Sequence, residues 1–408
     1  MTFGDMYQGK TVFVTGHTGF KGAWLSEWLL LLGANVVGCS LEPPTTPSLF
    51  ATLQLGGHLA ADRRGDVRSL HTLETMLRQY RPDFIFHLAA QPIVRRAFAE
   101  PYETVNTNCM GSLTLLEAVR RANRSCVVIM ITTDKVYENA EWVYAYREND
   151  SLGGSDPYSA SKACAEILIA SYQRSFFSRP QSGPGVPSIA VASVRGGNAI
   201  GGGDWAEDRI VPDCMKSLAR KQKILVRNKK ATRPWQHVLE LLSGYLHLGA
   251  EISGALARSQ GERLHELCTS FNFGPPIASN RTVEELVQEI LKHWPGTWEE
   301  HTERHARKEA GKLNLAIDKA HHTLGWHPRW NFAETIQHTV EWYRMYYKSA
   351  VPDPTSLHEL TQQQILSYTE AATPQSEAER HSDRITLPTA WLFSLPTMVS
   401  QTLQDLPL

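Results

Sequence analysis

The chain has 408 residues, of which 42% are hydrophobic and 20% are charged. This composition is typical of a globular protein, and the length suggests two domains or one large domain with an extension. The 41 basic and 42 acidic residues leave a formal net charge of −1, which excludes a global electrostatic attraction to nucleic acid or to an anionic membrane. Any anionic ligand must be bound by a local group of residues.

The cysteines and the apolar segments indicate the compartment. No apolar run approaches the roughly 20 residues that a membrane-spanning helix needs, and no leader peptide is recognised before the first predicted strand. The cysteines are scattered without a C-x-x-C pair, which favours buried free thiols over disulfides or zinc ligands: Cys39, Cys109, Cys126, Cys164, Cys214 and Cys268. We therefore expect a cytoplasmic protein without a metal site.

The first predicted elements are a strand, a glycine-rich turn and a helix. Residues 11–14 are an apolar run typical of a buried parallel strand, and a turn with three spaced glycines follows. In such a turn the first glycine permits tight bending, the second lets the backbone approach a diphosphate, and the third allows close packing of the helix on the sheet. The helix N-terminus supplies N–H donors to phosphates. We predict dinucleotide contacts from Gly16, His17, Thr18, Gly19, Phe20 and Gly22.

Acidic residues after the next two strands are candidates for binding the adenosine end of a dinucleotide. A strand at residues 35–39 is expected to end near the ribose, where a carboxylate selects NAD over NADP by accepting a hydrogen bond from the 2′-hydroxyl. Glu42 lies two residues beyond the usual place for this acid. Asp66 and Val67 follow a short third strand, and they either contact the adenine or form a solvated turn.

Two further strands deliver small and reactive side chains. The strand at residues 84–88 leads into side chains small enough to lie against a cofactor, at Leu88, Ala89 and Ala90. The strand at residues 127–131 is followed by Thr133, Asp134 and Lys135. Ligands of open parallel sheets bind outside the carboxyl ends of the strands, so these polar residues are candidates for chemistry. The alternative is an ordinary polar start to a loop.

A tyrosine and a lysine lie one helical turn apart in the next element. Asp156 is a good N-cap and Pro157 a good first helical residue, so a helix is predicted from here through Tyr172. Tyr158 and Lys162 then share one face. The lysine ammonium and the positive end of the helix both favour the phenolate over a phenol with a pKa of about 10. Tyr158 could exchange a proton with an alcohol, unless the two residues are simply exposed near a helix start.

The alternation of strands and helices is lost after the strand at residues 189–194. Residues 178–187 look like an exposed connection, and from residue 196 polar, aromatic and basic groups predominate, including Arg209 and Arg233. This pattern predicts a smaller substrate domain, with arginines suited to a diphosphate. Each arginine could equally form a surface ion pair.

The C-terminal part offers two weaker signals. His301 and His305 are spaced for a metal pair, but Glu303 lies on another face and no third ligand is evident, which favours a solvated helix. Residues 351–408 are rich in Thr, Gln, Ser, Glu and Pro and are interpreted as a mostly disordered tail.

Several motifs together resemble the extended short-chain dehydrogenase/reductase family, and within it the nucleotide-sugar 4,6-dehydratases. They span roughly residues 8–348. The three motifs that begin at residues 133, 197 and 233 are the most specific. The stretches are Thr15-Gly-His-Thr-Gly-Phe-Lys-Gly22, His87-Leu-Ala-Ala-Gln91, Thr133-Asp-Lys-Val-Tyr-Glu-Asn139, Asp156-Pro-Tyr-Ser-Ala-Ser-Lys162, Gly197-Asn-Ala-Ile-Gly-Gly-Gly-Asp-Trp205, Arg233-Pro-Trp-Gln-His-Val238 and Asn272-Phe-Gly-Pro275. Val136 and Gly196 depart mildly from the family pattern, which more often has Cys and Ala there.

The resemblance implies an α/β fold, a Rossmann-type doubly wound parallel sheet with a smaller C-terminal α/β substrate domain. The expected division is an NAD-binding domain at residues 1–195, a nucleotide-sugar-binding domain at residues 196–350 from which the chain crosses back to the first, and the tail. The resemblance also implies CDP-glucose as substrate, a homodimer, and a place in deoxysugar biosynthesis of the lipopolysaccharide O-antigen type.

The resemblance further implies a role for each residue at the strand ends. Tyr158, kept as phenolate by Lys162, takes the proton of the sugar 4-hydroxyl, and Thr133 hydrogen-bonds the same oxygen. Lys135 then removes the C5 proton and Asp134 protonates the leaving 6-hydroxyl, with NAD recycled internally and contacted by Tyr158 and Lys162. The nucleotide sugar is held by Asn198, Arg209 and Arg233, with Gln91 and Arg195 as further candidates.

Three alternatives remain open on the sequence. A nucleotide-sugar 4-epimerase would use the same tyrosine and lysine but would not need the acid and base that Asp134 and Lys135 supply. A dehydratase acting on a different nucleotide would keep all of these residues. A non-catalytic NAD-binding regulator would keep the glycine turn and tend to lose Tyr158 or Lys162, both of which this chain retains.

Overall fold

The computed structural model describes residues 2–177, 187–301 and 313–371. The strands are β1 (Thr11–Thr15), β2 (Asn35–Ser40), β3 (Ala61–Arg64), β4 (Phe84–His87), β5 (Cys126–Ile131), β6 (Ile189–Gly196), β7 (Ala199–Ile200), β8 (Ile224–Val226), β9 (Thr232–Pro234), β10 (Gln236–His237), β11 (Ser270–Phe273), β12 (Asn280–Thr282) and β13 (Trp298–Glu300). The helices are α1 (Phe20–Leu31), α2 (Leu49–Thr52), α3 (Leu70–Tyr80), α4 (Val94–Ala99), α5 (Pro101–Val105), α6 (Gly111–Ala122), α7 (Pro157–Tyr172), α8 (Ile210–Ala219), α9 (Val238–Ala257), α10 (Gly261–Leu267), α11 (Val283–His293), α12 (Asp318–Leu324), α13 (Phe332–Tyr346) and α14 (Pro354–Glu370).

Seven strands form one parallel sheet in the order β11-β6-β5-β4-β1-β2-β3. The chain builds outward from β1 through β2 to β3, and then returns to add β4, β5, β6 and β11 on the other side. The direction of winding therefore reverses between β1 and β4. Ligands of such sheets bind in the crevice that opens at this reversal. The prediction of a Rossmann-type doubly wound sheet is confirmed.

The sheet is buried on both faces, which explains why its central strands are continuous apolar runs. All six residues of β5 are buried. Successive side chains of β1 alternate between two cores: Val12 and Val14 pack on the side of α1 and α9, whereas Phe13 packs on the side of α3 and α6. This rigid layer fixes the positions of the loops at its carboxyl edge.

Residues beyond 196 contribute both to the large sheet and to several small two-stranded ladders. Strand β11 pairs with β6 and completes the large sheet, and α9 covers one face of that sheet. The short strands β7, β8, β9, β10, β12 and β13 pair in three separate two-stranded ladders. The described residues up to Ala371 belong to one compact unit. Among the described residues no helix is both long and apolar enough to cross a membrane.

The prediction of a disordered tail from residue 351 is wrong for its first part. Residues 354–370 form α14, which begins with an N-cap at Asp353 and a proline at its first position. Its buried side chains recur at helical spacing and pack on the core: Leu357, Leu360, Thr361, Gln364, Ile365 and Tyr368. Residues 372–408 lie outside the described residues.

Helix α14 is joined to the first helix of the fold. The Oε1 atom of the buried Glu27 on α1 lies 2.8 Å from the His358 Nε2 atom and accepts a 2.8 Å hydrogen bond from the Gln362 amide. The indole ring of Trp28 packs edge-on against the ring of Tyr368. The C-terminal helix therefore closes a surface that the N-terminal helix leaves open.

A second buried carboxylate, Glu240 on α9, also holds α14. It accepts hydrogen bonds from the Tyr368 hydroxyl (2.6 Å) and from the backbone N–H groups of Trp330 (2.7 Å) and Arg329 (3.0 Å). Burial nevertheless raises the pKa of Glu240 from 4.5 to about 7, because these donors offset only part of the cost of removing the charge from water.

Glu240→Gln is expected to change the pH dependence of stability. A folded-state pKa above the unfolded value means that the native protein binds the proton more tightly, so Glu240 costs progressively more stability as pH rises from about 4.5 to about 7. Glutamine carries no charge, so the variant should gain free energy of unfolding relative to the native protein across that window. Urea unfolding at several pH values measures this difference. A constant difference, or the same trend in the exposed control Glu359→Gln, would contradict it.

Candidate active site

A large cleft opens at the carboxyl edge of the sheet, where the strand order reverses. Its walls are the glycine turn after β1, the ends of β2, β4 and β5, the start of α7, and the segments 196–213 and 225–235 from the C-terminal half. The sheet thus brings the motifs found in the sequence into one place, although they are separated by more than 200 residues in the chain.

The glycine turn leaves no room for side chains. Gly16 has a φ of +76°, and a Cβ atom on it would lie 2.7 Å from the backbone nitrogen of Ala89. A Cβ atom on Gly22 would lie 2.1 Å from the carbonyl oxygen of Gly16. Helix α1 begins at Phe20 without a side-chain cap, so its first turn faces the cleft as a site for phosphate. The turn therefore fits a dinucleotide diphosphate.

Most of the residues predicted to bind the dinucleotide line this cleft. They are Gly16, Thr18, Gly19, Phe20, Gly22, Glu42, Asp66, Val67, Leu88, Ala89, Ala90, Tyr158 and Lys162. The two acids are already paired with arginines: Glu42 lies 3.1 Å from Arg64, and Asp66 accepts hydrogen bonds from Arg68. An arginine side chain therefore lies beside each of the two acids that are expected to contact the ribose and the adenine.

His17 is the exception, and its side chain does not line the cleft. The imidazole is buried beneath Gly38, its Nε2 atom lies 2.8 Å from Asp62, and its ring packs against Phe50. Burial lowers the pKa of His17, while Asp62 acts in the opposite direction. The ring of His17 points away from the cleft because the glycine in β2 opens a space into which it fits, so a dinucleotide contact from His17, which stays a prediction, would involve its backbone.

Helix α7 positions the tyrosine and lysine as the sequence predicts. The Asp156 carboxylate accepts hydrogen bonds from the backbone N–H groups of Tyr158 (2.9 Å) and Ser159 (3.0 Å), which fixes the first turn. Lys162 is buried and donates a 3.1 Å hydrogen bond to the carbonyl oxygen of Ile131, the last residue of β5. The lysine therefore ties α7 to the strand that carries Asp134 and Lys135.

The charge state of Tyr158 differs from the sequence prediction. Burial raises the pKa of Tyr158 to about 12, and the nearby Asp134 carboxylate acts in the same direction, whereas the Thr133 hydroxyl and Arg209 lower it. Burial, together with the charge of Lys21, lowers the pKa of Lys162 to about 8. The expected preference for the phenolate is wrong for the protein alone, because the phenol lies in a buried site beside an acid.

Asp134 has the properties of a buried acid. The Thr133 hydroxyl donates a 2.9 Å hydrogen bond to its Oδ1 atom, and burial raises its pKa although Lys135 acts to lower it. Its other oxygen is packed closely: a Cβ atom on Gly197 would lie 2.7 Å from the Oδ2 atom. A protonated carboxyl group in this place can donate to an oxygen leaving a substrate.

Four of the five residues predicted to bind the substrate line the cleft, and Arg195 does not. Asn198, Arg209 and Arg233 line the cleft, where Arg209 forms a 2.6 Å ion pair with Asp204. Gln91 also lines the cleft, but its amide is engaged within the protein.

Gln91 and Arg195 are structural residues in this arrangement. The Gln91 amide donates to the Thr104 hydroxyl (2.8 Å) and accepts from the backbone N–H of Ile93 (2.7 Å), so both of its ends are used. Arg195 does not line the cleft, because its guanidinium is buried against Glu166 at 2.8 Å. The structure does not support either as a substrate contact.

The segment of His301 and His305, for which the sequence favours a solvated helix over a metal site, lies only partly within the described residues. His301 is exposed, whereas Glu303 and His305 lie outside the described residues. Within the described ranges no group of three His, Cys, Asp or Glu side chains could hold a metal ion.

Comparison with known proteins identifies the family. Residues 13–339 match the family described as GDP-mannose 4,6 dehydratase. A CDP-glucose 4,6-dehydratase of Salmonella typhimurium is 43% identical over 349 residues, which cover 84% of this chain and 93% of that protein. The chain belongs to this dehydratase family. The predicted resemblance to the extended short-chain dehydrogenase/reductases is confirmed.

More distant relatives share the scaffold of this dehydratase family. A dTDP-glucose 4,6-dehydratase of Haemophilus influenzae is 27% identical, over 81% of this chain and 97% of that protein. The crystal structure of a Streptomyces venezuelae dTDP-glucose 4,6-dehydratase with NAD and TYD bound has a TM-score of 0.66 at 22% identity, covering 82% of this chain and 97% of that one. At this level of identity the likeness shows the fold.

The sequence analysis did not identify Lys21, a charged residue of the cleft. Lys21, in the first turn of α1, lines the cleft, and burial together with the charge of Arg209 lowers its pKa to about 8. Its charge acts on both Asp134 and Lys162. The available signal was its place between Phe20 and Gly22, because a side chain inside a phosphate-binding turn is held close to the ligand.

Proposed function

We propose that this chain is a CDP-D-glucose 4,6-dehydratase, a hydro-lyase that converts CDP-glucose to CDP-4-keto-6-deoxy-D-glucose and water. One observation carries the proposal: Asp134, whose pKa is raised by burial, and its neighbour Lys135 line the same cleft as Tyr158 and Lys162. An epimerase needs the second pair alone, whereas dehydration needs both. The 43% identity to a CDP-glucose 4,6-dehydratase supports CDP as the nucleotide.

The part of the cleft formed by β1, β2, β4 and α1 would bind NAD. The glycine turn would hold the diphosphate, Glu42 would bind the ribose, and Asp66 and Val67 would contact the adenine; all of these residues line the cleft. Bound there, NAD would supply the hydride chemistry of the reaction, as the acceptor of the hydride from the sugar C4 and its donor to C6. The C-terminal side of the cleft would hold the nucleotide sugar through Asn198, Arg209 and Arg233.

The first proton transfer belongs to Tyr158. Its phenolate accepts the proton of the sugar 4-hydroxyl as C4 is oxidised, and the Thr133 hydroxyl hydrogen-bonds the same oxygen. Since the phenol of the protein alone has a raised pKa, the phenolate must be favoured by positive charge in the filled cleft. Arg209 already acts in this direction, and Lys162 lies one turn from Tyr158.

Removal of water uses the neighbouring pair. Once C4 is a ketone, the proton on C5 is acidic and Lys135 accepts it, while Asp134 donates a proton to the departing 6-hydroxyl. Lys135 then returns its proton to C5 when C6 is reduced. At the end of the cycle Tyr158 holds one extra proton, taken from the 4-hydroxyl, and Asp134 lacks the proton that left with the water. The Thr133 hydroxyl, which interacts with both groups, provides a path for its return.

The decisive experiment compares nucleotides. Purified protein with NAD is incubated in parallel with CDP-glucose, UDP-glucose and dTDP-glucose, and the 4-keto-sugar is followed by its absorbance in alkali. We expect product from CDP-glucose. Product from another nucleotide alone would keep the dehydratase chemistry and contradict the CDP assignment. A 4-epimer without keto-sugar would indicate an epimerase, and no turnover at all a non-catalytic NAD-binding protein.

We also propose a homodimer in which a second copy covers α5 and α7. These helices pack together and carry exposed apolar side chains, among them Tyr102, Val105 and Ile167, which a partner would remove from water. Sedimentation equilibrium at twice the monomer mass would support the dimer, and a monomer mass would contradict it.

On the resemblance, we place the enzyme in the cytoplasm and its product in lipopolysaccharide O-antigen deoxysugar biosynthesis.

A further inference from the structure

A buried ion pair lies directly behind the catalytic cleft. The Nη2 atom of Arg195 on β6 is 2.8 Å from the Oε2 atom of Glu166 on α7, and their side chains are 4% and 2% exposed. Neither residue lines the cleft. Burying two charges is costly, and a buried ion pair contributes less stability than well-packed apolar residues often would. Its presence so close to the reacting groups therefore calls for another role.

The Glu166 carboxylate joins α7 to three neighbouring strands. Its Oε1 atom accepts a 2.5 Å hydrogen bond from the Thr132 hydroxyl, just after β5. Its Oε2 atom accepts hydrogen bonds from Ser193 on β6 (2.9 Å) and Ser270 on β11 (3.2 Å), besides Arg195. Thr132 is the neighbour of Thr133, so this carboxylate fixes the first end of the catalytic segment 133–136.

Arg195 holds the other end of the same segment. Its Nη1 atom donates hydrogen bonds to the Tyr137 hydroxyl (2.8 Å) and to the Glu148 carbonyl oxygen (2.9 Å), and its guanidinium lies 5.0 Å from the centre of the Tyr137 ring. Tyr137 directly follows residues 133–136. The ion pair is therefore hydrogen-bonded to the residues at both ends of the short segment that carries Thr133, Asp134 and Lys135.

Glu166 also provides a negative charge for Lys162, which lies one turn away on the same helix. Burial and the Lys21 ammonium lower the pKa of Lys162, and Glu166 acts in the opposite direction. The other titratable groups facing Lys162 are Tyr158 on α7 and His87 at the end of β4, whose burial lowers its pKa to about 3 so that it is neutral. Glu166 is therefore the counter-charge of the catalytic lysine.

We propose that Glu166 and Arg195 are positioning residues of the reaction: the pair holds segment 133–136 against α7, and the Glu166 carboxylate serves as the counter-ion of Lys162, one turn away on the same helix. This inference rests on the proposed dehydratase function, which assigns roles to the groups that the pair positions. It assigns Arg195 a function that does not involve contact with the substrate.

The test separates charge from position with two variants. Glu166→Gln keeps the size and most hydrogen bonds but removes the charge, so the pKa of Lys162 should fall further. If activity requires the lysine cation, the alkaline limb of the kcat profile should move to lower pH, and kcat at neutral pH should fall by about 10- to 100-fold. Glu166→Asp keeps the charge but shortens the reach, so kcat should fall while the alkaline limb stays in place.

Arg195→Lys and a distant control complete the test. Lysine preserves the ion pair but cannot bridge Glu166 and Tyr137 at once, so kcat should fall with KM and the Kd of NAD within about threefold of the native values. Glu117→Gln, which removes an ion-paired carboxylate of α6 outside the cleft, should leave the profile unchanged.

Two results would overturn the inference. With an active native enzyme, an unmoved alkaline limb in Glu166→Gln together with near-native kcat in Glu166→Asp and Arg195→Lys would remove the pair from the reaction. Losses confined to KM and NAD binding would indicate a role in the fold alone. If the native enzyme makes no keto-sugar from any nucleotide, the proposed function fails, and this inference falls with it.

Discussion

Tyr158→Phe is expected to lower the rate of 4-keto-sugar formation by about 10²- to 10⁴-fold, because the variant has no group to accept the proton of the sugar 4-hydroxyl. The phenyl ring fills the same buried space, and the Asp156 cap bonds the backbone rather than the phenol, so the helix should be retained. The measurement is steady-state turnover of CDP-glucose beside NAD binding by calorimetry. Binding should be preserved.

The same variant should also fail at the first step of the cycle. Mixing Tyr158→Phe with NAD and CDP-glucose should give no near-ultraviolet absorbance from reduced nicotinamide, since oxidation at C4 needs the proton acceptor. Tyr245→Phe is a control, because its phenol is buried in α9 without a hydrogen bond from its hydroxyl among the described residues. Native turnover in Tyr158→Phe would remove Tyr158 from the mechanism.

Lys135→Ala should stop the cycle at a later point than Tyr158→Phe. The variant keeps the proton acceptor for oxidation but has no base for the C5 proton, so keto-deoxysugar formation should fall by about 10²- to 10⁴-fold while NAD still binds. Because oxidation still occurs, reduced nicotinamide should appear after mixing and persist. Stopped-flow absorbance and product assay on the same sample measure both effects.

Exchange of the C5 hydrogen distinguishes the base from the acid. In deuterated water Lys135→Ala should incorporate no deuterium at C5 of recovered sugar, whereas Asp134→Asn keeps the base and should allow exchange while blocking loss of water. Undiminished product from Lys135→Ala would exclude the lysine as the base. Absence of reduced nicotinamide in that variant would show that Lys135 acts before the elimination.

The sequence predicts the buried strands up to residue 194 and the edge of the sheet where the chemistry lies, because both follow from local patterns. Apolar runs mark the buried parallel strands, and the polar residues that follow them must meet at one edge of the sheet. The helix of Tyr158 is equally local, since Asp156 and Pro157 define its start. These features need no knowledge of distant packing.

The directions of individual side chains were harder to predict. The resemblance implies Arg195 as a further substrate candidate, yet residues two apart on a strand point to the same face. Ser193 and Arg195 accordingly both reach Glu166 in the core. For His17, the deciding feature was the space under Gly38 in another strand, which no local pattern records.

The charge of Tyr158 and the order of α14 depend on neighbours far along the chain. A phenol one turn from a lysine is expected to ionise, but burial and Asp134 reverse the direction of its pKa shift. The composition of residues 351–408 was considered as a whole, so the residues of α14 were averaged with those that follow it. The helical spacing of Leu357, Leu360 and Ile365 was therefore not recognised.

The attachment of α14 to α1 has a consequence for biosynthesis. Glu27 and its partner His358 are 331 residues apart, so the ribosome releases the first helix long before its cover has been made. Domains usually fold from the N-terminus as they emerge. Here the surface of α1 that contacts His358, Gln362 and Tyr368 lacks this cover until α14 has been made. A nascent chain therefore carries Glu27 and Trp28 without these contacts to α14 during the synthesis of all the elements between α1 and α14.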